Sequence, residues 1–457
     1  MFGEIVIANE NKSLMRNSLH SLGTSAALIL VSFLISILQA RVLGPEGKGG
    51  YDLFVATGGL LMMLFGFSLP SGITYVVALS KVSLSAMIRR LLLIVLGQCL
   101  LVLSLLRIAE RGGWIWTFLP RGEESVILLI AVYMFLNVLN GYWRAILIGR
   151  QEIIAANRFS LLARLAEVLL FLLLLGVLRF MGHPLDLFMV IEILVASAFI
   201  SNIFFLRRLR ILLRLPSQGL SGLHEILDYS LPCYLGNVAQ FLNYRLDMFL
   251  VSALMDQRAV GLYALSVSLA QLVWLLSNSV STVLLPKVAS EQHLAARNAH
   301  LSARATRLSL WVSLLAGISL CCAVVVMVPV IYGEAFRYSI APLLFLMPGV
   351  VAIGPAFILA SYIAGIGKPR INLFVALIGL FFTIILDVLL IPRLNITGAA
   401  LASTVSYCII ASLTVWFFKR ESKIRLRDVL LMTKGDIRLA VSLPRVVFRH
   451  VPSQNTK

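Results

Sequence analysis

The sequence predicts an all-α integral membrane protein of twelve transmembrane helices, arranged as two parallel-repeat six-helix bundles around a central cavity. Three observations carry that prediction. Of 457 residues, 60% are hydrophobic and only 13% charged, with a mean hydropathy of +0.94; a soluble domain lies nearer half apolar and a quarter charged. The apolar blocks are helix-length rather than ten-residue alternating strands, which excludes an outer-membrane barrel. An internal repeat divides the chain near residue 220.

Taken in order, the candidate spans are approximately 22–42, 53–79, 91–106, 125–148, 160–180, 186–206, 229–254, 260–286, 308–332, 340–364, 371–391 and 398–418. Each holds enough apolar residues for a helix to cross a bilayer. The first ends in LQA before Arg41, in the manner of a signal peptide. Its apolar run is too long for one, and it is expected to be retained.

The basic residues orient these spans. With an even number of spans both termini share a side, and that side carries 29 lysines and arginines against 9 on the other, with Arg245 left inside a span. The bias places both termini of a multi-pass membrane protein in the cytoplasm. The net charge of +18 is thereby explained by loops that hold topology and meet anionic lipid, not by nucleic acid.

The repeat rests on matches held in register. Gly49-Gly50-Tyr51 corresponds to Gly261-Leu262-Tyr263, Leu69-Pro70 to Leu285-Pro286, and Gly149 with Asn157 to Gly367 with Asn372. The implied organisation is an N-terminal bundle at 1–215, a C-terminal bundle at 216–422 and a basic cytoplasmic tail at 423–457. Parallel repeats are related by an axis along the membrane normal, with the substrate path between them. The segment from Lys419 into the tail, KRESKIRLRDVLL, reads as a short surface helix flanking the membrane.

One span is unlike the others. Within 229–254, Asn237, Gln240, Tyr244 and Asp247 recur at helical spacing and share a face, with Arg245 and Tyr234 at its margin. A polar stripe in hydrocarbon is costly unless it faces protein or water, so this helix is read as a wall of a hydrated cavity. Arg245 lies about ten residues from the outer end of the helix, roughly 15 Å deep, beyond comfortable snorkelling. It is either an anion site or neutralised by a partner such as Asp247, although residues two apart do not face each other on a helix.

Other spans add to the stripe. Asn137 and Asn140 on the fourth, with Tyr133 and Arg144, and Gln271 and Asn278 on the eighth, with Ser268 and Thr282, are candidate cavity walls. Ser18, Ser21, Ser25, Ser32, Ser36 and Gln39 form a stripe on the first span that serves packing or cavity lining equally well. Glu167 follows Arg164 at i+3, as a local ion pair would. Asp247, Asp387 and Glu192 are the candidate coupling-ion ligands; for the last two an interfacial carboxylate is the competing reading.

Enzyme chemistry is not indicated. No HExxH, Walker lysine or GxSxG elbow occurs. The six histidines lie in loops or tails, so neither catalytic residue, metal site nor cofactor is expected. The five cysteines lie inside apolar blocks without a CxxC pair and read as small buried hydrophobes.

ARVLGPEGKGGYDLF, residues 40–54, resembles the segment after the first span of polysaccharide and O-antigen flippases. AGIGKPRINLFVALIGLFFTIILDVLLIPRLNITGAALAST, residues 364–404, resembles their segment around spans eleven and twelve. These flippases belong to the multidrug/oligosaccharidyl-lipid/polysaccharide (MOP) exporter superfamily, whose architecture is shared with the multidrug (MATE) transporters. The resemblance implies alternating-access translocation of an undecaprenyl-pyrophosphate-linked oligosaccharide. It extends to membrane lipid, a polysaccharide polymerase and chain-length proteins as partners. Relatives commonly carry asparagine where this chain has Asp387, which leaves that residue's role open. Arg245 is then the candidate for the pyrophosphate, with Asn137, Asn140, Asn237, Gln240, Gln271 and Asn278 for sugar. The alternatives are an ion-coupled multidrug or metabolite antiporter with Asp247 as its cation site, and a non-transporting scaffold with a filled centre.

Overall fold

The computed structural model describes residues 2–78, 83–120, 125–213 and 223–433, and among them the secondary structure is helical, with no strand. Thirteen α-helices follow in order: α1 (Phe2–Phe65), α2 (Leu69–Ala78), α3 (Leu84–Arg111), α4 (Ser125–Gly149), α5 (Ile153–Met181), α6 (Leu187–Leu213), α7 (Leu223–Leu254), α8 (Gln257–Ala270), α9 (Leu275–Ser290), α10 (Ala295–Tyr332), α11 (Ile340–Gly365), α12 (Pro369–Ser422) and α13 (Leu426–Leu430). Ten of the twelve predicted spans each fall on one of these helices; the second is divided between α1 and α2 and the eighth between α8 and α9.

Nine helices among the described residues are long and apolar enough to cross a membrane. α12 contains two predicted spans, and α1 contains the first span and the start of the second. α1 is broken at Gly44, whose φ of 66° and ψ of −175° are open to a residue without Cβ, and Pro45 restarts the helix where its missing N–H costs nothing. α12 is broken at Asn395 (φ 56°), three residues after Pro392; asparagine tolerates positive φ better than most residues. α7 is not among the nine, because its polar middle lowers its hydropathy. The surface is inverted relative to a soluble protein: large apolar side chains such as Leu93, Leu315 and Val326 are exposed along the helices, where hydrocarbon satisfies them.

The second predicted span is not continuous. Gly66, Phe67 and Ser68 separate α1 from α2, with Phe67 at φ 49° and Ser68 at φ 52°. Two consecutive non-glycine residues in the left-handed region are held only by surrounding structure, and α7 supplies it: the Tyr234 hydroxyl donates to Leu64 O at 2.7 Å and Asn237 Nδ2 to Ser68 Oγ at 3.1 Å. The eighth span also changes pitch, through a 3₁₀ turn at Gln271–Trp274 between α8 and α9.

The chain forms two compact units. Unit 1 is Met1–Ala264 with Val328–Arg337; unit 2 is Leu265–Met327 with Tyr338–Lys457. In unit 1, Phe54, Leu69, Tyr142, Trp143 and Phe171 are among the fully packed core residues. There Gly49 and Gly261, counterparts in the repeat, lie directly against each other: a Cβ on Gly49 would sit 2.7 Å from the Gly261 amide nitrogen, and one on Gly261 would sit 2.8 Å from that of Gly49. Arg41 Nε donates to Ile331 O at 2.7 Å, and its Nη2 to Val330 O, carbonyls that end α10.

Unit 2 has its own core around Val288, Ile358, Tyr362 and Phe418. A short helix, α13, forms at the start of the tail, and one side of it packs into that core. Val429 on α13 is fully buried, the Arg307 guanidinium donates to Asp428 O, and Trp311 Nε1 donates to Leu430 O at 3.2 Å. Residues 434–457 lie outside the described part. The cysteines also depart from expectation: Cys99, Cys321 and Cys408 are partly exposed and Cys322 is exposed, so they belong to outward faces of their helices.

Candidate substrate site

The stripe on α7 divides into three roles. Tyr234 and Asn237 hold the break between α1 and α2. Asp247 is buried and occupied: its Oδ2 accepts from the Tyr263 hydroxyl of α8 and its Oδ1 from the Met248 N–H at 2.7 Å. Arg245 is half-buried and makes no ion pair or hydrogen bond among the described residues. Its charge is therefore not neutralised by Asp247, the partner considered from the sequence. Gln240 is exposed and donates within the helix to the Tyr244 hydroxyl at 3.4 Å; Tyr244 is partly buried.

Unit 1 encloses two cavities that meet on α4. One, of about 440 Å³, is mainly apolar and is bounded by Met62, Met63, Val138, Tyr142 and Phe241, with Asn137 and Asn237 among its few polar residues. The other, of about 340 Å³, is polar and lies among α4, α5 and α6, with Tyr133, Asn140, Arg144, Arg164, Glu167 and Ser197 on its walls. Asn137 and Gly141 line both. The structure thus brings Asn137 together with Asn140 in one cavity and with Asn237 in the other. Gln240, Tyr244 and Arg245 are not among the residues lining either.

Sequence reasoning missed the centre of the polar cavity. Glu167 is 2% exposed; its Oε2 accepts from Arg164 Nη1 at 2.6 Å and its Oε1 from the Tyr51 hydroxyl at 3.1 Å. Gln39, buried in α1, also hydrogen-bonds Tyr51. The local pair at i+3 was legible; the tyrosine 116 residues away was not. Arg164, counted from the sequence on the cytoplasmic side of the span at 160–180, lies inside α5, eleven residues from its start and so roughly 16 Å along the axis.

The remaining candidates sit elsewhere. In unit 2, Gln271 is partly buried in its 3₁₀ turn, Asn278 is exposed on α9, and Asp387 is fully buried on α12 and thus no exposed interfacial carboxylate. In unit 1, Glu192 is exposed on α6 and lines neither cavity. Ser32 and Ser36 are partly buried and Gln39 is buried; the side chains of Ser18, Ser21 and Ser25 lie outside the described part. Among the described residues no group of three or more His, Cys, Asp and Glu could hold a metal ion.

Long helices broken at Gly44 and Asn395, exposed apolar flanks, and a polar cavity beside an apolar one in unit 1 define a multi-pass membrane protein. It is similar, at a TM-score of 0.67 and 14% identity, to an inward-facing multidrug resistance MATE family transporter of the MOP superfamily, covering 87% of this chain and 94% of that one. It is similar at a TM-score of 0.61 and 15% identity to the lipid II flippase MurJ in an inward closed conformation, covering 94% of each chain. At such identities the likeness speaks for fold alone. The family described as polysaccharide biosynthesis protein matches residues 14–292, and the chain belongs to that family. A relative, the capsular polysaccharide biosynthesis protein CapF of Staphylococcus aureus, is 23% identical over 262 residues, which are 55% of this chain and 65% of CapF, less than two thirds of that protein's length.

Proposed function

We propose that the protein is a flippase, not an enzyme. It moves undecaprenyl-pyrophosphate-linked oligosaccharide repeat units from the cytoplasmic to the outer leaflet of a bacterial inner membrane, for O-antigen, capsule or exopolysaccharide synthesis. The repeats at 1–215 and 216–422 alternate access to the two sides, with both termini and the basic tail cytoplasmic. The observation that carries this reading is Arg245: a guanidinium well inside a membrane helix, half-buried and without an ion pair or hydrogen bond among the described residues. An uncompensated charge at that depth is expensive, and an anionic ligand in transit is the partner that makes it tolerable. A pyrophosphate offers charge-assisted, bidentate acceptors to a guanidinium. Asn137, Asn140 and Asn237 supply amides for sugar hydroxyls at the cavity walls.

The antiporter reading gains less support. It needs a carboxylate free to take a cation, whereas both oxygens of Asp247 already accept hydrogen bonds from Tyr263 and Met248. Replacing Arg245 with Ala is expected to cut surface polysaccharide on the order of tenfold or more at equal protein level, the equivalent of one lost charge-assisted contact. Arg245→Lys is expected to retain part of it, keeping the charge but not the fork. Undiminished display in the alanine variant, or drug resistance on overexpression without a polysaccharide defect on deletion, would overturn the proposal.

A further inference from the structure

We infer that the apolar cavity of unit 1 is a binding site for a neutral amphiphile, an apolar chain that carries a hydroxyl. The site stands on its own residues and not on the flippase reading.

The walls set the charge and character of the occupant. The cavity, of about 440 Å³, lies among the end of α1, the start of α2, α4 and α7, and its size is within the range of small-ligand sites. Met62, Met63, Val138 and Phe241 make its body apolar, and among the described residues no charged side chain lines it. An ionic group taken in there would lose its water and gain no counter-ion, which is strongly unfavourable. Methionine side chains adapt to irregular apolar shapes, which suits a flexible chain.

The polar side chains set the head of the ligand. Asn137 Nδ2 donates to Tyr133 O, one turn back, at 2.9 Å. A carbonyl accepts only from the nitrogen end of an amide, so the orientation of Asn137 is fixed and its Oδ1 is an acceptor without a partner among the described residues. Ser68 is the complement. Its Oγ accepts from Asn237 Nδ2 at 3.1 Å, and its own proton has no acceptor among the described residues. Both residues line the apolar cavity. An idle acceptor and an idle donor on its walls call for a group that donates and accepts at one atom. A hydroxyl does both; an ether or an ester only accepts.

The wall that carries Ser68 is also the strained one. Phe67 and Ser68, at φ 49° and 52°, join α1 to α2, and strain of this kind persists where surrounding contacts over-determine it. A hydroxyl bonded to Ser68 adds to the hold that Tyr234 and Asn237 already exert on the break. Asn137 and Asn237 are also two of the amides assigned above to sugar; on the flippase reading, the alcohol is therefore a competitor of the substrate.

The test places the full-length protein in phosphatidylcholine nanodiscs, because alkyl glycoside detergents themselves carry hydroxyls on apolar chains. Tritiated farnesol or 1-tetradecanol is expected to bind saturably, above its partition into empty nanodiscs, and the tighter of the two names the chain as isoprenoid or straight. Uptake of both equal to that of empty nanodiscs overturns the site. The methyl ether of the tighter alcohol keeps the chain and loses the donor; it is expected to compete about tenfold more weakly, the effect of one hydrogen bond. Farnesyl pyrophosphate is expected to compete at least about tenfold more weakly than farnesol, for want of a cation. An ether equal to its alcohol overturns the hydroxyl assignment, and a pyrophosphate equal to farnesol or tighter overturns the neutral one. These comparisons need no variant to fold. Asn137→Leu is expected to bring the alcohol down to the affinity of the ether and to leave the ether unchanged; an alcohol as tight as in the native protein overturns the role of Asn137. Alcohol binding requires no translocation, so the result is independent of polysaccharide display in the Arg245 variants.

Discussion

Gly49→Ala and Gly261→Ala are each expected to destabilise the protein by about 3 kcal/mol or more, at the upper end of what overpacking a core costs. The reason is that the obstructing atoms are backbone. A Cβ on Gly49 would lie 1.8 Å from Gln257 O, and one on Gly261 would lie 2.0 Å from Pro45 O. No rotamer change relieves either contact; the segment after Gly44 and the start of α8 must move apart. Because either methyl forces the same separation, the double variant is expected to cost much less than the sum of the two singles. Gly97→Ala and Gly176→Ala provide the comparison. Both lie inside helices with nothing within 4 Å of an added Cβ, and alanine is favoured there by about 1 kcal/mol on helix propensity. Thermal unfolding in micelles separates the two pairs. Equal midpoints for all four single variants would mean that the backbones are not in contact.

The same crossing shows what the sequence could reveal and what it could not. Gly49 and Gly261 were legible as counterparts 212 residues apart, because a repeat is a property of order along the chain. That the two lie against each other is a property of space, and nothing in either segment announces it. Spans were legible because hydrocarbon imposes a length on every apolar helix. The break at Phe67 and Ser68 was not, since neither residue favours positive φ and the cause is α7. On α7 itself the polar face was visible, but its residues do not act together: Tyr234 and Asn237 hold the break between α1 and α2, Asp247 takes Tyr263, and Arg245 has no ion pair or hydrogen bond among the described residues. The motif at 40–54, recognisable only as a resemblance, acquires physical reasons residue by residue. Gly44 breaks the helix, Gly49 allows the close approach, Lys48 pairs with Asp52, and Tyr51 reaches Glu167. Arg164 was misjudged in depth. Its place near the start of the predicted span at 160–180 counted it with the cytoplasmic flank, whereas α5 begins at Ile153, so Arg164 lies three turns inside the helix.

Trp143→Ala is expected to cost about 3–5 kcal/mol, the loss for truncating a buried aromatic, and to loosen the wall between α4 and α6 that shapes the polar cavity. Trp143 is 2% exposed, and its Nε1 donates to Asn202 Oδ1 at 3.0 Å; Asn202 Nδ2 in turn donates to Leu136 O and Ala198 O, each at 3.0 Å. The asparagine thus links a side chain of α4 to backbone of both helices, one residue before Arg144. Trp143→Phe retains most of the volume but removes the only donor that Oδ1 receives among the described residues, and is expected to cost about 1–3 kcal/mol for that stranded acceptor. The two variants separate packing from polarity. If Trp143→Phe is as damaging as Trp143→Ala, the hydrogen bond carries the clamp; if it is silent, Asn202 is satisfied by other means and shape alone matters. In the Trp143→Phe background, Asn202→Leu removes the stranded group together with its need for a partner. It is expected to cost less there than in the native protein, where the same change discards a satisfied network. Thermal unfolding of the four combinations in micelles closes that cycle, and a coupling of zero would mean that tryptophan and asparagine contribute independently.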